Sequence, residues 1–312
     1  MFFHIFIFIP AESEGRLSAC DKMGFMQIEN IDSHPAIKTV TKETPVYDSS
    51  RRGILALEEL RETLRYQDLI LQLVRRDIVA RYKRSVLGVA WTMLNPLAMM
   101  VVMTIVFSQL FHSVPGYPAY ILSGLLVWTF FNQTTSAIIN SLVWGGAFFQ
   151  RIYVPRSAFA ISAMGTGIVN LLLSLIPLLG VMLLVKIPIR PSIIFVPIPI
   201  LLLACFALGV GLLVSSMAIF FPDVVEMYQV FLLIWFYITP IIYPIKIIPE
   251  QLLPLLKFNI FLPLLNLFRL IVYEGKIPTL TDLLPPFLIA IVMLVLGWWI
   301  FAQKSDEFVY RT

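Results

Sequence analysis

Val86-Leu-Gly-Val-Ala-Trp-Thr-Met-Leu-Asn-Pro-Leu-Ala-Met-Met-Val-Val-Met-Thr-Ile-Val-Phe-Ser-Gln-Leu-Phe111 holds no Asp, Glu, Lys or Arg, and the chain stays free of all four from Ser85 through Gln150. A hydrocarbon core about 30 Å thick needs about 20 helical residues. The charge-free run is therefore long enough for two spans. His112-Ser-Val-Pro-Gly-Tyr-Pro118 supplies the turn between them, because two prolines and a glycine close together punctuate a helix. Four more uncharged stretches follow, at Ser157–Val185, Pro191–Pro222, Met227–Ile245 and Leu283–Gln303. They predict an all-α polytopic membrane protein with six transmembrane helices: Val86–Phe111, Tyr120–Val143, Ser157–Val185, Ile193–Ile219, Val224–Ile242 and Leu283–Ala302. The alternating segments of about ten residues that mark a transmembrane β-barrel are absent.

Composition agrees with that reading. Of 312 residues, 59% are hydrophobic and 13% charged, with a mean hydropathy of +0.86. A soluble domain carries about 25% charged residues, and one water-soluble core of this length could not hide so much apolar surface. Cys20 lies in a polar N-terminal region and Cys205 inside a predicted span, so no disulfide framework is expected. His4, His34 and His112 are scattered, without metal-ligand spacing. The first nine residues are apolar but too short to span, and they lack the flanks of a signal peptide. Met23 and Met26 stand as alternative starts.

Residues 1–66 read as a polar cytoplasmic N-terminal segment, mixed in charge and partly disordered over 11–66, and 67–85 as an amphipathic interface helix. The transmembrane domain then covers 86–303 and a cytoplasmic tail 304–312. Ile70, Val74, Ile78, Tyr82 and Val86 recur every four residues, which puts them on one helix face. Arg75, Arg76, Arg81, Lys83 and Arg84 occupy the rest of that cylinder. Such a helix suits the headgroup region, where each basic residue near an anionic leaflet contributes about 1 kcal/mol. A charge cluster that only sets topology is the simpler alternative. The N-terminal cluster, Arg151 with Arg156, and Lys304 with Arg311 put both termini in the cytoplasm. Lys186 and Arg190 fall on the outer side and run against that rule.

Residues 244–282 fit no span. Their apolar runs, Leu252–Leu256 and Phe258–Phe268, are short and bounded by Pro244, Pro249, Pro254 and Pro263. They suggest re-entrant half-helices at a pore mouth, since irregular backbone at membrane depth survives only inside protein or beside water. An outer loop resting on the headgroups is the alternative. Trp144-Gly-Gly-Ala-Phe-Phe-Gln-Arg-Ile-Tyr-Val-Pro-Arg156 offers an aromatic-and-arginine knob suited to a partner's cleft, or arginines that merely obey the positive-inside rule. Trp91, Phe107, Trp128, Phe130, Phe131, Trp235, Phe236 and Tyr237 lie in predicted spans. Their rings can stack on sugars, although Trp and Tyr also favour membrane interfaces.

Catalytic patterns are missing. The sequence has no G-x-x-x-x-G-K-[ST], H-E-x-x-H, G-x-S-x-G or C-x-x-C. Only the fifth predicted span contains a charged side chain, Glu226. Ion-coupled transporters place such groups inside the membrane, so energy for any transport is expected from another subunit.

The run Leu73-Val-Arg-Arg-Asp-Ile-Val-Ala-Arg-Tyr-Lys-Arg-Ser-Val-Leu-Gly-Val-Ala-Trp-Thr-Met-Leu-Asn-Pro-Leu97 resembles the leading segment of type-2 ABC exporter permeases. More closely, it looks like the polysaccharide branch, which exports O-antigen, capsule or teichoic acid chains. The likeness continues through Phe148–Arg156, Phe221-Pro-Asp-Val, Phe236-Tyr-Ile-Thr-Pro-Ile-Ile-Tyr-Pro244 and Asn266-Leu-Phe-Arg269, and covers residues 45–310. It implies a homodimeric permease in the cytoplasmic membrane with two separate ATPase subunits. ATP and magnesium then sit on the ATPase, no cofactor sits on this chain, and the substrate is a lipid-linked glycan. It implies ATPase docking by Arg75, Arg76, Asp77, Arg81 and Tyr82, and by Phe149, Arg151, Tyr153, Pro155 and Arg156. It implies a path lined by Trp91, Phe107, Trp128, Phe131, Trp235, Phe236 and Tyr237. The outer gate would hold Pro240, Tyr243, Pro244, Asn259, Pro263 and Arg269. Relatives commonly have Asn-Pro where this chain has Asn259-Ile260, with its proline delayed to Pro263.

Two other functions compete. One is an ABC exporter for a drug, lipid or other small hydrophobic substrate. The other is a membrane-embedded enzyme acting on lipid-linked sugars. The enzyme needs clustered acids at one membrane face, whereas Asp223 and Glu226 are predicted on the side opposite Glu250 and Glu274.

Overall fold

Apolar stretches with no charge to interrupt them become long helices in the computed structural model, which describes residues 55–83, 88, 90–112, 114–145 and 155–308. In chain order the helices are α1 (Leu55–Arg65), α2 (Gln67–Tyr82), α3 (Ala90–Phe107), α4 (Tyr117–Val143) and α5 (Arg156–Leu184). Then come α6 (Pro197–Ala218), α7 (Asp223–Ile238), α8 (Leu253–Lys257), α9 (Leu262–Val272) and α10 (Leu280–Phe308). Short 3-10 turns lie at Pro191–Phe195, Ile245–Ile247 and Glu250–Leu252, and no strand occurs among the described residues. Prolines open α4, α6 and α9, at the first turn where a missing N–H costs nothing. Gly116 precedes α4 with φ 59°, a left-handed conformation that favours glycine.

Among the described residues four helices are long and apolar enough to cross a membrane: Ala90–Phe107, Arg156–Leu184, Pro191–Ala218 and Leu280–Lys304. Six spans were expected, and two helices make the difference. α4 has the length, at 27 residues, but Asn132-Gln-Thr-Thr-Ser136 dilutes its apolar character. α7 is strongly apolar but only 16 residues long, about 24 Å at 1.5 Å per residue. That is short of a hydrocarbon core about 30 Å thick.

Burial orders the bundle from centre to edge. Most of α4 is buried, and α6 hides 61% of its apolar stretch within the chain. α3 hides only 11% and α10 only 17%, so their apolar surface is left for lipid or another chain. α6 and α10 still meet backbone to backbone. A methyl on Gly209 would lie 2.3 Å from the Met293 carbonyl oxygen, and one on Gly297 would lie 2.1 Å from the Gly209 carbonyl oxygen. In lipid no hydrophobic force drives helices together, so such close van der Waals packing at small residues takes its place.

The two N-terminal helices differ from expectation. The apolar stripe of α2 turns toward α5: Leu73 is 7% exposed, and Val74 fills the space beside Gly165. The stripe residues Ile70, Val74 and Ile78 are half-buried. The helix with two sharply different faces is α1, inside the segment read as a polar lead-in. Leu57, Leu60 and Leu64 share its exposed side, while Thr63 is buried with Oγ1 2.6 Å from Ser157 Oγ at the start of α5.

The two ends of the bundle are distinct. At one end Ser192 Oγ donates to the Ile271 carbonyl and the Tyr273 hydroxyl donates to the Pro115 carbonyl, which ties the turns after α3, α5 and α9 together. At the other end Lys304 Nζ lies 4.9 Å from the centre of the Phe220 ring, beside the start of α7.

The α6–α10 contact yields a prediction. Gly297→Val forces the two backbones apart and should cost at least about 3 kcal/mol, the top of the usual overpacking range. Gly180→Ala, where an added methyl meets nothing, should be nearly neutral. Thermal unfolding of the detergent-solubilised protein reads both, and equal melting of the two variants would count against this packing.

Candidate functional site

α7 stops at Ile238, and the chain then leaves helical geometry across Thr239-Pro-Ile-Ile-Tyr-Pro244. Thr239, Pro240, Ile241 and Ile242 are buried there. A buried carbonyl without a partner costs about as much as a lost hydrogen bond. Four successive carbonyls in this run each accept from a side chain elsewhere. Arg269 Nη1 donates to Pro240 at 2.8 Å and Nη2 to Ile241 at 2.7 Å. The Tyr117 hydroxyl donates to Ile242 at 3.0 Å, and the Tyr120 hydroxyl to Tyr243 at 3.2 Å.

Arg269 is the hub. It sits in the last turn of α9, is 5% exposed, and also donates from Nη1 to the Tyr120 hydroxyl oxygen at 3.0 Å. Its guanidinium carbon lies 3.9 Å from the centre of the Tyr120 ring. Carbonyl dipoles, a phenol and a ring face offset its charge, and among the described residues no carboxylate pairs with it. Gly124 on α4 makes the room, since a methyl there would lie 2.5 Å from Nη2.

A second polar hub sets the start of α9. Asn259 is buried, and its Oδ1 accepts from Trp235 Nε1 at 2.9 Å and from the Phe261 backbone N–H at 3.1 Å. Its Nδ2 donates to Thr239 Oγ1 at 2.9 Å. Asn259 thereby joins the end of α7 to the start of α9, in a chain that lacks the proline expected after it. Pro263 supplies the helix-starting proline from the first turn of α9. The Tyr243 hydroxyl donates back to the Tyr237 and Ile238 carbonyls, and half-buried Pro244 follows it. Burial raises the Tyr273 phenol above its usual value, which keeps it a donor to Pro115.

The aromatic candidates divide into four settings. Trp128, Phe131 and Trp235 form one cluster with Phe206 and Phe261, with ring centres 5.1 to 6.3 Å apart. Phe131 has no exposed surface and belongs to the core. Trp128 and Phe236 face a cleft of about 490 Å³ between α3, α4 and α7, which Asn95, Asn132 and Gln229 also line. Phe107 stacks on Phe111 at the far end of α3, with ring centres 6.0 Å apart. Trp91, at 64%, and Tyr237, at 61%, are the exposed ones.

The docking candidates are partly placed. Arg75 and Arg76 are exposed on α2, and Arg76 Nη2 pairs with half-buried Asp77 at 2.9 Å. Pro155 and Arg156 are half-buried at the start of α5, and Arg156 is within electrostatic reach of Glu59 on α1. The side chains of Arg81 and Tyr82, and all of Phe149, Arg151 and Tyr153, lie outside the described residues. Sequence reasoning named Arg269 and Asn259 but missed Tyr117, Tyr120, Thr239 and Gly124. The available signal was two tyrosines three residues apart at the edge of a charge-free span, because a buried phenol needs a partner.

The family model described as ABC-2 type transporter matches residues 68–273. The O-antigen export system permease protein RfbA of Myxococcus xanthus is 27% identical over 254 residues, covering 80% of this chain and 97% of that protein. A protein of the same description from Klebsiella pneumoniae is 27% identical over 196 residues, covering 62% of this chain and 75% of that protein.

The latch around Arg269 is open to test. Arg269→Gln takes both donors from the Pro240 and Ile241 carbonyls, at about 1–3 kcal/mol for each group left unpaired. Tyr120→Phe removes one donor and should cost about 1 kcal/mol. Thermal unfolding in detergent should therefore rank wild type above Tyr120→Phe and both above Arg269→Gln. An Arg269→Gln protein that melts like wild type would remove the latch.

Proposed function

The chain belongs to the ABC-2 type transporter family, and on that footing we propose that it is the permease subunit of an exporter that passes a lipid-linked polysaccharide across the cytoplasmic membrane, driven by ATP hydrolysis on a separate ATPase subunit. The observation that carries this reading is the likeness to an O-antigen export permease over 97% of that protein's length. The sequence has no phosphate-cradling motif of its own, which suits a conduit powered by a partner.

In this reading α4 and α7 join the four strongly apolar helices to give six spans, with both termini in the cytoplasm. α7 crosses only part of the membrane, and α8 and α9 complete its passage as re-entrant gate helices held by Asn259 and Arg269. Two copies of the chain assemble on the apolar surface that α3 leaves open, and two ATPases dock from below. Arg75, Arg76 and Asp77, with the loop 145–156, form the docking surface. The carrier lipid stays in the bilayer while the glycan passes between the two copies. Export of a small hydrophobic molecule is the weaker reading, since the relatives' names point to a polysaccharide.

Deleting the gene should abolish surface polysaccharide and leave the lipid-linked chain inside the cell. Normal surface polysaccharide in the deletion strain would remove the reading. Arg151→Glu combined with Arg156→Glu should lose co-purification with the ATPase and reduce coupled ATP hydrolysis at least tenfold. Wild-type co-purification and hydrolysis would remove the docking role of the loop and leave the export reading standing.

A further inference from the structure

We propose that the cleft between α3, α4 and α7 is a saccharide-binding rung, in which the side-chain amides of Asn95, Asn132 and Gln229 hold the neutral hydroxyls of the passing chain. The inference rests on the export reading above and adds to it a place and a chemistry of recognition.

Position is the first argument. Asn132 lies eleven residues from the end of α4, about 16 Å along the axis, well inside the apolar layer. Asn95 and Gln229 are exposed on the chain's surface and Asn132 is half-buried. Amides turned to lipid would be costly, so polar groups within spans face protein or a water-filled cavity. The cleft of about 490 Å³ is the cavity all three share.

Unused hydrogen-bonding capacity is the second. Gln229 Nε2 donates to Ser136 Oγ at 3.1 Å, and Ser136 Oγ donates to Asn132 Oδ1 at 3.4 Å. That short chain fixes the two amides. The Gln229 carbonyl oxygen, the Asn132 amino group and the whole Asn95 amide are left for a ligand. They offer donors and acceptors together, which a hydroxyl can satisfy in either role. An apolar ligand would leave them buried and unpaired, at about 1–3 kcal/mol each.

The neighbouring surface is the third. Trp128 and Phe236 line the same cleft with ring centres 5.5 Å apart. Phe236 also lines a smaller cavity of about 130 Å³ with Phe107, Phe111, Tyr237 and Tyr243, at the break after α7. Amides therefore give way to rings along one track that climbs to the latch. Among the described residues no Asp, Glu, Lys, Arg or His lines either cavity. The track is built for neutral, hydroxyl-rich rings rather than for phosphate or carboxylate.

The test uses the permease with its ATPase in cells making the lipid-linked chain. Photoreactive benzoylphenylalanine is placed at Leu233, which lines the cleft, or at Leu284, exposed on α10 away from it. Irradiated permease is then probed for attached carbohydrate by periodate oxidation and hydrazide labelling. The Leu233 position should give at least ten times the carbohydrate adduct of the Leu284 position. Asn132→Leu with Gln229→Met should cut that adduct, and surface polysaccharide, at least tenfold. If the double variant fails to reach the membrane, Gln229→Met alone, at an exposed side chain, should still cut the adduct severalfold. Equal adducts at the two positions, or an undiminished adduct in the amide variants, would overturn the rung. Loss of surface polysaccharide on deletion combined with either result sinks only the rung. Unchanged surface polysaccharide on deletion sinks the export reading and the rung with it.

Discussion

A helix that stops inside a packed apolar core leaves carbonyls with no water to bond, and much of this molecule is arranged around meeting that need. The break after Ile238 exposes four carbonyls in sequence, and Arg269, Tyr117 and Tyr120 take them up. α9 is too short to cross a bilayer, but it needs only to carry Arg269 to the break and bury its own apolar side. Gly124 keeps α4 out of the guanidinium's way. Asn259 fixes where α9 begins relative to the end of α7. A buried arginine compensated by dipoles rather than by a carboxylate holds the segment without a second charge in the core.

The absence of charge elsewhere shapes the rest. With lipid as solvent, the hydrophobic effect cannot hold apolar helices to one another, and α6 and α10 instead approach through Gly209 and Gly297. α3 has little such contact and keeps its apolar surface outward. α10 also keeps most of its apolar surface outward, so the close approach at Gly209 and Gly297 is local. The cleft with its amides lies beside α3 and α7.

Periodicity and charge predicted the apolar helices and the broken segment before α10, because each is a local property of the chain, whereas Asn259 and Arg269 were expected there only through the family resemblance. Periodicity and charge leave open what covers a face. In the stripe of Ile70, Val74 and Ile78, each half-buried, Val74 sits beside Gly165 of α5, a contact that the spacing alone does not reveal. Leu57, Leu60 and Leu64 carry a clear helical spacing, but charged neighbours made their segment look like a solvated lead-in. Phe206 and Phe261 complete the cluster around Phe131 from distant parts of the chain, and no single-sequence pattern joins them. The span count depends on depth, which length and hydropathy measure only for helices that run straight through.

α4 makes the last connection. Tyr120, Gly124, Trp128, Asn132 and Ser136 follow one another at intervals of four, so each sits above the next in a row that winds slowly around the helix. The row begins at the latch with Tyr120 and Gly124, passes the aromatic wall of the cleft at Trp128, and ends at the amide rung with Asn132 and Ser136. Its polar members are part of what dilutes α4's apolar character below that of its neighbours. Lipid would penalise them, but α4 is the central helix and turns this row toward protein and cleft. Tyr120 at the Arg269 latch and Asn132 beside Gln229 thus stand on one row of one helix.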